Sequence, residues 1–572
     1  MRLNIVKSKN AEQLYIIKSI RKNGKATTRI VKKLGSMASL LPGFDNDRDK
    51  VIAWAREQAM IYTEAEEKGS MSVDITFTED RPLDMNRQNA FNIGYLFAKN
   101  IYHQLGLDAI CNNISESLKI SYSLSDVLQM LILTRLIAPA SKFSSYEYAS
   151  RFLQPPTFEL QHVYRSLDII AEHSDEIQAQ VYRNSQNLIN RNREVLFYDC
   201  TNFFFEIEES RGNARYGKSK EHRPNPIIQM GLFLDGDGFP LCFSMFPGNR
   251  NEQPTLKPLE KKIIRDFKLS EFIVCTDAGI ASTENRKFNT INGRSYIVTQ
   301  SLKNLKKFIR EWALAPDGWR LNDSGEVYNI DNIDEKAHEN SVFYKDRWIN
   351  ENGLQQRMIV SYSIRERNYQ RAIREKQVAR AEKIIDNGSG AATRNPNSPT
   401  RFVAETNTTP AGEIAEKKTL SLNVDKIENE SMYDGFYAVC TTLEKETHEI
   451  VRINKMRWQI EAAFRTMKSE FKARPVYLRN DERITAHFLT CFLALLIFKI
   501  IEKKLEKEYT EEQILHTLRD MNVYRLRDLG YLSSYTRTEI TDALHDAFGF
   551  RTDTEFISEK TMKKILKSIC RS

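Results

Sequence analysis

The chain has 572 residues, enough for three or four structural units, and 41% of them are hydrophobic, enough for substantial cores. A net charge of +8 and a mean hydropathy of −0.50 favour a soluble protein over a membrane-embedded one. The longest apolar run, Phe488 to Ile497, is too short to span a bilayer and predicts a buried helix. The N-terminus has no secretory apolar core and the seven cysteines include no CxxC pair, so we expect a cytoplasmic protein without disulfides or a zinc knuckle.

Positive charge is concentrated at the start of the chain. Residues 1–35 contain ten Lys or Arg against a single acid, Glu12. Two β-rich runs, Leu14–Lys18 and Thr27–Val31, flank an Asn23-Gly24 pair that is typical of a tight hairpin turn. A solvated surface accounts for part of this charge, but one sign of charge on a folded hairpin favours contact with a nucleic acid. We therefore expect a basic N-terminal module over residues 1–80.

A helical region and then an α/β core are predicted next. Apolar residues repeat with helical spacing over residues 86–190. At Val195 the pattern changes to strands, and over residues 191–290 it reads strand, hairpin, helix, strand. That order is typical of a ribonuclease-H-like core, a mixed sheet flanked by helices.

The rest of the chain is expected to interrupt and then complete this core. Residues 291–436 are predicted to form a β-rich insertion, residues 437–505 the second part of the core, and residues 506–572 a helical C-terminal region. Inside the insertion we expect a charged helix at 368–385 and a mobile loop at 387–412, with strands at 295–299, 358–362 and 435–441.

Three carboxylates stand in settings that suit metal-assisted chemistry. Asp199 and Asp277 end apolar runs that read as strands, and Glu461 lies on a predicted helix. At about 100° per residue, Arg457, Glu461 and Lys468 fall within roughly 40° of each other on that helix. Simpler interpretations exist: an aspartate that caps a turn, or an exposed Arg–Glu pair that contributes about a few tenths of a kcal/mol. If the three acids meet, they can form a pocket for two divalent cations, which is the machinery of metal-assisted phosphodiester cleavage.

The motifs resemble the DDE transposases of bacterial insertion sequences, in the group whose third acid lies in a Tyr-(2)-Arg-(3)-Glu-(6)-Lys signature. Arg457, Glu461 and Lys468 match the last three positions, whereas Asn454 stands where the signature has Tyr. Four further segments resemble this group: Tyr216–Pro224, Phe246–Asn249, Arg474–Tyr477 and Arg483–His487.

The resemblance implies a transposase that binds the terminal inverted repeats of its element and performs metal-dependent strand cleavage and strand transfer by cut and paste. It implies that Asp199, Asp277 and Glu461 are catalytic and hold two Mg²⁺ ions, or Mn²⁺ in their place, since all the ligands are oxygens. It further implies a helical DNA-binding region at 86–190 and double-stranded DNA, both element ends and target, as the partner. A homodimer in a synaptic complex, no membrane contact and a nucleoid-associated location in the bacterial cytoplasm are also expected.

Five basic side chains are candidates for contact with DNA phosphates. Two flank the third acid on its helix, and three precede the predicted hairpin strand, where an exposed basic turn is an equally good interpretation. They are Arg457, Lys468, Lys220, His222 and Arg223.

Two other functions stay open: a metal-dependent DNA endonuclease without strand transfer, and a non-catalytic DNA-binding protein. The segment Gly212–Ser219 also fits the nucleotide-binding pattern G-x-x-x-x-G-K-[ST]. That pattern must open directly into a helix, but two prolines follow shortly after Ser219. We therefore interpret the match as chance.

Overall fold

The protein divides into two compact units, Met1–Arg87 and Gln88–Ser572. The computed structural model describes residues 1–8, 11–22, 25–67, 79–80, 82–321, 325–387, 397–408, 414–526 and 529–570.

The first unit is a three-stranded antiparallel sheet packed with a long helix. Its elements are β1 (Arg2–Ser8), β2 (Ala11–Lys22), β3 (Lys25–Ser36), α1 (Met37–Leu40) and α2 (Arg48–Glu67). The strands follow the order β1-β2-β3, and Leu14 of the sheet shares a small core with Val51 and Ala55 of α2. The predicted pair of strands is confirmed within β2 and β3, while the Asn23-Gly24 turn lies outside the described residues.

Helices dominate the start of the second unit, as predicted. The elements are β4 (Ala90–Asn92), α3 (Tyr95–Gln104), α4 (Leu107–Leu118), α5 (Leu124–Ile137), α6 (Lys142–Tyr148), α7 (Leu160–Glu172) and α8 (Ser174–Ser185). Serine hydroxyls begin two of them: Ser123 Oγ accepts the Asp126 N–H at 3.1 Å, and Ser141 Oγ accepts the Ser144 N–H at 3.1 Å. Helix α5 is buried on nearly every side, so it belongs to the core of the unit.

A mixed eight-stranded sheet forms the centre of this unit. Its strands and the intervening elements are β5 (Val195–Phe204), β6 (Ile227–Asp235), β7 (Pro240–Pro247), α9 (Leu256–Lys262), β8 (Ile273–Thr276), α10 (Thr283–Phe288), β9 (Ser295–Thr299), α11 (Lys307–Leu314), β10 (Val342–Glu351), β11 (Leu354–Ser363), α12 (Ile364–Asp386), β12 (Val403–Thr408), β13 (Ile414–Leu422), α13 (Val424–Ser431) and β14 (Phe436–Thr441). The order is β10-β11-β14-β9-β8-β5-β6-β7, in which β5, β8 and β9 run parallel and the other pairs antiparallel. Apolar side chains are buried on both faces.

The predicted hairpin of the core is present as β6 and β7. Its turn is closed by Asp235, whose Oδ1 accepts the N–H groups of Asp237 at 3.1 Å and Phe239 at 2.9 Å. The hairpin can therefore be predicted from neighbouring residues alone: an aspartate begins a Gly-containing turn between two apolar runs.

The predicted strands and the charged helix of residues 291–436 are confirmed in β9, β11, β14 and α12. These three strands extend the same sheet that contains β5, whereas β12 and β13 form a separate two-stranded sheet. The prediction of a loop over residues 387–412 is wrong for 403–408. This segment forms the strand β12, which pairs antiparallel with β13. The part at 388–396 and 409–412 lies outside the described residues.

One long buried helix supports the whole second unit. After α14 (Thr447–Lys455) and α15 (Trp458–Ser469), helix α16 (Asp481–Lys504) packs against α3, α5 and α7. It is long and apolar enough by composition to cross a bilayer, yet 89% of its most apolar stretch is buried inside the protein. The buried helix predicted from the apolar run at 488–497 is confirmed.

The C-terminal region contains the expected helices and, in addition, three strands. It contains α17 (Glu511–Asp520), β15 (Asn522–Leu526), β16 (Gly530–Ser533), α18 (Glu539–Phe548), β17 (Phe556–Ser558) and α19 (Glu559–Ile569). The three strands join β4 in one sheet of order β17-β16-β15-β4. Their partner β4 is some 430 positions away in sequence, with Asn522 paired to Asn92, so no local pattern reveals this sheet.

Candidate active site

Two aspartates lie side by side at one edge of the central sheet. The parallel strands β5 and β8 have Phe197 and Cys275 as their last paired residues. Asp199 and Asp277 each stand two residues further on, so the alternation of side chains places both on the same face of adjacent chains. Asp277 directly follows β8, but Asp199 does not end its strand as predicted, because β5 continues to pair with β6 beyond it. Both aspartates are half-buried.

The environment of Asp199 opposes its negative charge. Its pKa is raised to about 6; burial is the main cause, Lys220 and Arg457 act against it, and the charge of Asp277 adds to it. The Cys200 N–H donates to Asp199 Oδ1 at 2.7 Å and holds the carboxylate in place. Two carboxylates that repel each other where little water reaches them favour a bound divalent cation.

Helix α15 contacts the same edge through both ends of its polar stripe. Arg457, just before the helix, donates from Nη1 to Thr299 Oγ1 at 3.3 Å, and Lys468 in its last turn donates from Nζ to Thr201 Oγ1 at 2.8 Å. Glu461 lies between them on the same side of the helix and is exposed. The ion pair between Arg457 and Glu461 that the sequence also allowed does not form among the described residues, because Arg457 turns towards Thr299.

The pKa values of two lysines near Asp199 are shifted in opposite directions. Burial lowers the pKa of Lys468 to about 8, the charge of Lys220 adds to that effect, and Asp199 acts against it. Burial also acts against the charge of Lys220, but Asp199 and Glu252 outweigh it and raise its pKa above the usual value. The site therefore alternates positive and negative groups within a small volume.

Asn454, at the signature's Tyr position, is buried in a polar network. It is 2% exposed, and its Nδ2 donates to Tyr437 Oη at 2.5 Å and to Thr299 Oγ1 at 3.4 Å. Its Oδ1 accepts from Cys275 Sγ at 3.3 Å. Tyr437 Oη also lies 2.9 Å from Thr299 Oγ1, the same hydroxyl that Arg457 contacts. A tyrosine hydroxyl is thus present here, but it comes from β14.

The turn before β6 positions its three basic side chains differently. Lys220 Nζ contacts a backbone carbonyl of β5 and lies 3.0 Å from Glu252 Oε1. The guanidinium of Arg223 lies 4.1 Å from the centre of the Phe204 ring. His222 is exposed, and its backbone N–H donates to the Ser219 carbonyl at 3.2 Å. Lys220 and Arg223 are therefore packed on β5, whereas His222 is exposed, and contact of these three residues with DNA stays a prediction.

The nucleotide-binding pattern at residues 212–219 does not form the corresponding loop. No helix follows it, and the next element is β6. Gly217 has a different role, since a Cβ at this position would lie 2.2 Å from the carbonyl oxygen of Gly248. The chance match is confirmed.

Three acids are predicted to hold the metal ions, and the structure brings two of them, Asp199 and Asp277, close to each other. Within the described ranges, no three His, Cys, Asp or Glu side chains lie close enough to hold one ion together. The charge of Asp277 contributes to the raised pKa of Asp199, so these two carboxylates are close to each other. Glu461 lies in the first turn of α15. The assignment of Glu461 as a ligand stays a prediction.

Several side chains of this edge were not singled out from the sequence. Thr201, Thr299 and Tyr437 lie on strands and have no signal beyond ordinary β propensity. Glu221 and Arg474 lie inside segments that carry the family resemblance, and this resemblance could have identified them as candidate site residues. Their ion pair brings together residues 253 positions apart.

Comparison with known proteins identifies a family for this chain. The family described as the transposase DDE domain matches residues 193–497, more than half of the chain, and this range contains Asp199, Asp277 and Glu461. No curated protein matches the chain at a significant level. Among solved structures, the chain is similar to a cryo-EM structure of a piggyBac transposase synaptic complex with hairpin DNA, at 8% identity and a TM-score of 0.36, over 84% of this chain and 86% of that chain.

Proposed function

Because this chain belongs to the family of transposases with a DDE domain, we propose that it moves a bacterial insertion sequence by cut and paste. In this proposal it binds the terminal inverted repeats of the element, cleaves DNA strands there and joins the freed ends to target DNA. Two copies act together on paired element ends. The protein acts in the bacterial cytoplasm, associated with the nucleoid. The central sheet is a ribonuclease-H-like core.

One observation supports the proposal above all others. Asp199 and Asp277, 78 positions apart, occupy neighbouring positions at one sheet edge, with Arg457 close enough to lower the pKa of Asp199. Acids at such an edge, flanked by cations, are what cleavage of a phosphodiester needs: ligands for metal and donors for phosphate oxygens.

The acids suit the divalent metal that the family implies. Burial, with a contribution from Asp277, raises the pKa of Asp199 to about 6, so a cation beside both carboxylates would stabilise their ionised forms. Asp199, Asp277 and Glu461 would hold two Mg²⁺ ions, for which Mn²⁺ substitutes. When bound, the metal activates the attacking hydroxyl and stabilises the leaving oxygen.

The remaining residues position the DNA strand. Arg457 and Lys468 are anchored on Thr299 and Thr201, which lie on the strands β9 and β5 of the same sheet. Lys220 interacts with both Asp199 and Glu252, and its Nζ lies 3.0 Å from Glu252 Oε1. Three fixed cations around a carboxylate pair can orient a phosphate for in-line attack, as charge-assisted hydrogen bonds are directional.

A single substitution tests the proposal. We expect Asp199→Asn to reduce Mg²⁺-dependent cleavage of duplex DNA carrying the element ends by about a hundredfold or more, because it removes a metal ligand. Binding of the same DNA in EDTA should persist. Cleavage is measured on labelled duplexes, and Asp425→Asn, in the first turn of α13, is the matched control. Undiminished cleavage by Asp199→Asn would rule out this metal site.

The products distinguish the two other functions. Strand transfer predicts DNA in which the element's 3′ ends are joined to a target, in addition to nicked product. Nicked product alone identifies a metal-dependent endonuclease. Binding without any cleavage under Mg²⁺ or Mn²⁺ identifies a non-catalytic DNA-binding protein.

A further inference from the structure

The carboxylate of Glu221 lies among three cations from separate parts of the chain. Lys468 Nζ is 3.6 Å from Glu221 Oε1, and the Arg474 guanidinium contacts the same oxygen. Arg223 Nε is 3.7 Å from Glu221 Oε2. Among the described residues, Glu221 is the only acid paired with any of these three cations. One negative charge therefore faces three positive ones.

The three cations are held by strand β5, independently of Glu221. Arg223 and Arg474 lie 4.1 Å and 5.9 Å from the ring centre of Phe204. Lys468 lies 5.5 Å from the ring centre of Phe203 and donates to Thr201. Cation–π contacts and a hydrogen bond of this kind keep the charges in place when their acidic partner leaves.

The turn that carries Glu221 is fixed, whereas its side chain is partly free. The buried Ser219 hydroxyl accepts the N–H groups of Glu221 at 3.3 Å and Arg223 at 3.2 Å. Asn202 of β5 donates to the Lys218 carbonyl at 3.2 Å and accepts the Lys220 N–H at 3.3 Å. The Glu221 side chain itself is 24% exposed, so a rotation of the side chain alone carries its carboxylate into solvent.

This cluster adjoins the active site. Thr201, the partner of Lys468, stands two residues beyond Asp199 on the same face of β5. An anion in the position of the Glu221 carboxylate would thus contact Lys468, which is anchored on the strand that carries Asp199. The anion that enters such a site in a DNA-cleaving protein is a backbone phosphate.

We propose that Lys468, Arg474 and Arg223 form a binding site for a DNA backbone phosphate, and that the Glu221 carboxylate occupies this site until DNA displaces it. The inference rests on the proposed function. Glu221 is then an internal competitor of DNA, and its removal strengthens binding. If Glu221 instead organised the three cations for DNA, its removal would weaken binding, so the two roles differ in sign.

The test measures DNA binding by the full-length protein in EDTA, by fluorescence anisotropy of a labelled duplex. We expect Glu221→Gln to lower the Kd about three- to tenfold at low ionic strength, because three cations are released for phosphate contact. The gain should shrink as salt rises, since salt screens the exposed cations. Glu271→Gln is the matched control: it removes the same charge just before β8, at the end of that strand opposite Asp277, and should leave the Kd nearly unchanged.

A second pair of variants keeps the result specific to this site. Arg474→Gln should weaken binding, and adding Glu221→Gln to it should restore less affinity than Glu221→Gln gains in the wild type. An unchanged or higher Kd for Glu221→Gln, with its thermal unfolding intact, overturns the inference. Cleavage by the wild type with Mg²⁺ is scored separately, so a protein that binds but never cleaves refutes the proposed function while a gain from Glu221→Gln still supports the phosphate site.

Discussion

Burial governs the charge of two acids that belong to the core unit of the protein. Burial raises the pKa of Asp199, but Lys220 and Arg457 partly oppose this shift, so the pKa reaches only about 6. Glu260 of α9 is fully buried and its pKa is raised to about 7, mainly by burial, against which Asn289 and more distant cations act. Asn289 Nδ2 donates to Glu260 Oε1 at 2.6 Å, but Oε2 has no hydrogen-bond partner among the described residues. Glu260 is thus destabilising whenever it is ionised.

We expect Glu260→Gln to stabilise the protein at alkaline pH. The folded-state pKa of about 7 lies above the ordinary 4.5, so the folded protein holds the proton more tightly and its stability falls as pH rises through this interval. Gln keeps the acceptor for Asn289 and is neutral at every pH. The free energy of unfolding should rise by about 1–3 kcal/mol at pH 8 and hardly at pH 5.

Urea unfolding of both proteins between pH 5 and 8 measures this difference. Glu271→Gln, an exposed carboxylate, should show no such pH dependence. An equal difference at pH 5 and pH 8 would mean that packing, and not the charge of Glu260, is responsible.

At the scale of elements, two glycines allow the basic turn to approach the hairpin. A Cβ on Gly217 would lie 2.2 Å from the Gly248 carbonyl oxygen, and a Cβ on Gly248 would lie 1.9 Å from the Ile227 carbonyl oxygen. All these atoms belong to the backbone, so no side chain can move aside. The start of β6, the end of β7 and the turn with Lys220 therefore pack as one unit, which explains why glycine occurs in both motifs.

We expect Gly248→Ala to lower the free energy of unfolding by about 1–3 kcal/mol, because the new methyl group forces the two segments apart. DNA cleavage should fall with it, since the turn carries Lys220 next to Asp199. Gly325→Ala is the control, as a Cβ there meets nothing within 4 Å. Chemical denaturation and the cleavage assay report the two effects, and equal stability of the two variants would contradict the close approach.

At the scale of the whole molecule, the chain consists of two units that differ in the size of their cores and in their charge. Residues 88–572 contain the large core and the candidate active site, whereas residues 1–87 have a small core of their own. The excess of positive charge at residues 1–35 lies on the small unit. We therefore expect the small unit to supply one part of the affinity for DNA and the cations of the large unit another.

We expect residues 88–572 alone to keep the main thermal transition of the full chain within about 2–4 °C, because the large core is complete without the first unit. Their affinity for duplex DNA should fall, and the dependence of log Kd on log salt should become shallower by about 0.9 for each phosphate that the shorter chain no longer neutralises. Calorimetry and salt-dependent anisotropy measure these quantities.

A full-length variant provides the control for the truncation. Replacing the exposed Arg29, Lys32 and Lys33 of β3 by Gln removes charge and leaves the unit in place. It should reproduce part of the shallower salt dependence. A truncated protein that fails to fold, or that binds DNA with the salt dependence of the full chain, would contradict the division into independent units.

Local patterns in the sequence determined many of the elements and the residue types of the site. The β6–β7 hairpin, the charged helix α12 and the buried helix α16 follow from turn chemistry and apolar spacing, which are properties of neighbouring residues. The two aspartates after apolar runs and the stripe of α15 were identified in the same way. The extra strands of the C-terminal region and β12 were missed, because their partners are not adjacent in sequence or their runs are short.

Only the tertiary structure decided which of these residues meet. The register of β5 against β8 aligned Asp199 with Asp277, the position of β14 supplied Tyr437 beside Asn454, and the fold of the turn before β6 placed Glu221 among cations. Such contacts depend on strand order and register, which are set by packing of the whole core. No stretch of a dozen residues carries that information, so the sequence alone determined the chemistry available and the fold determined where it acts.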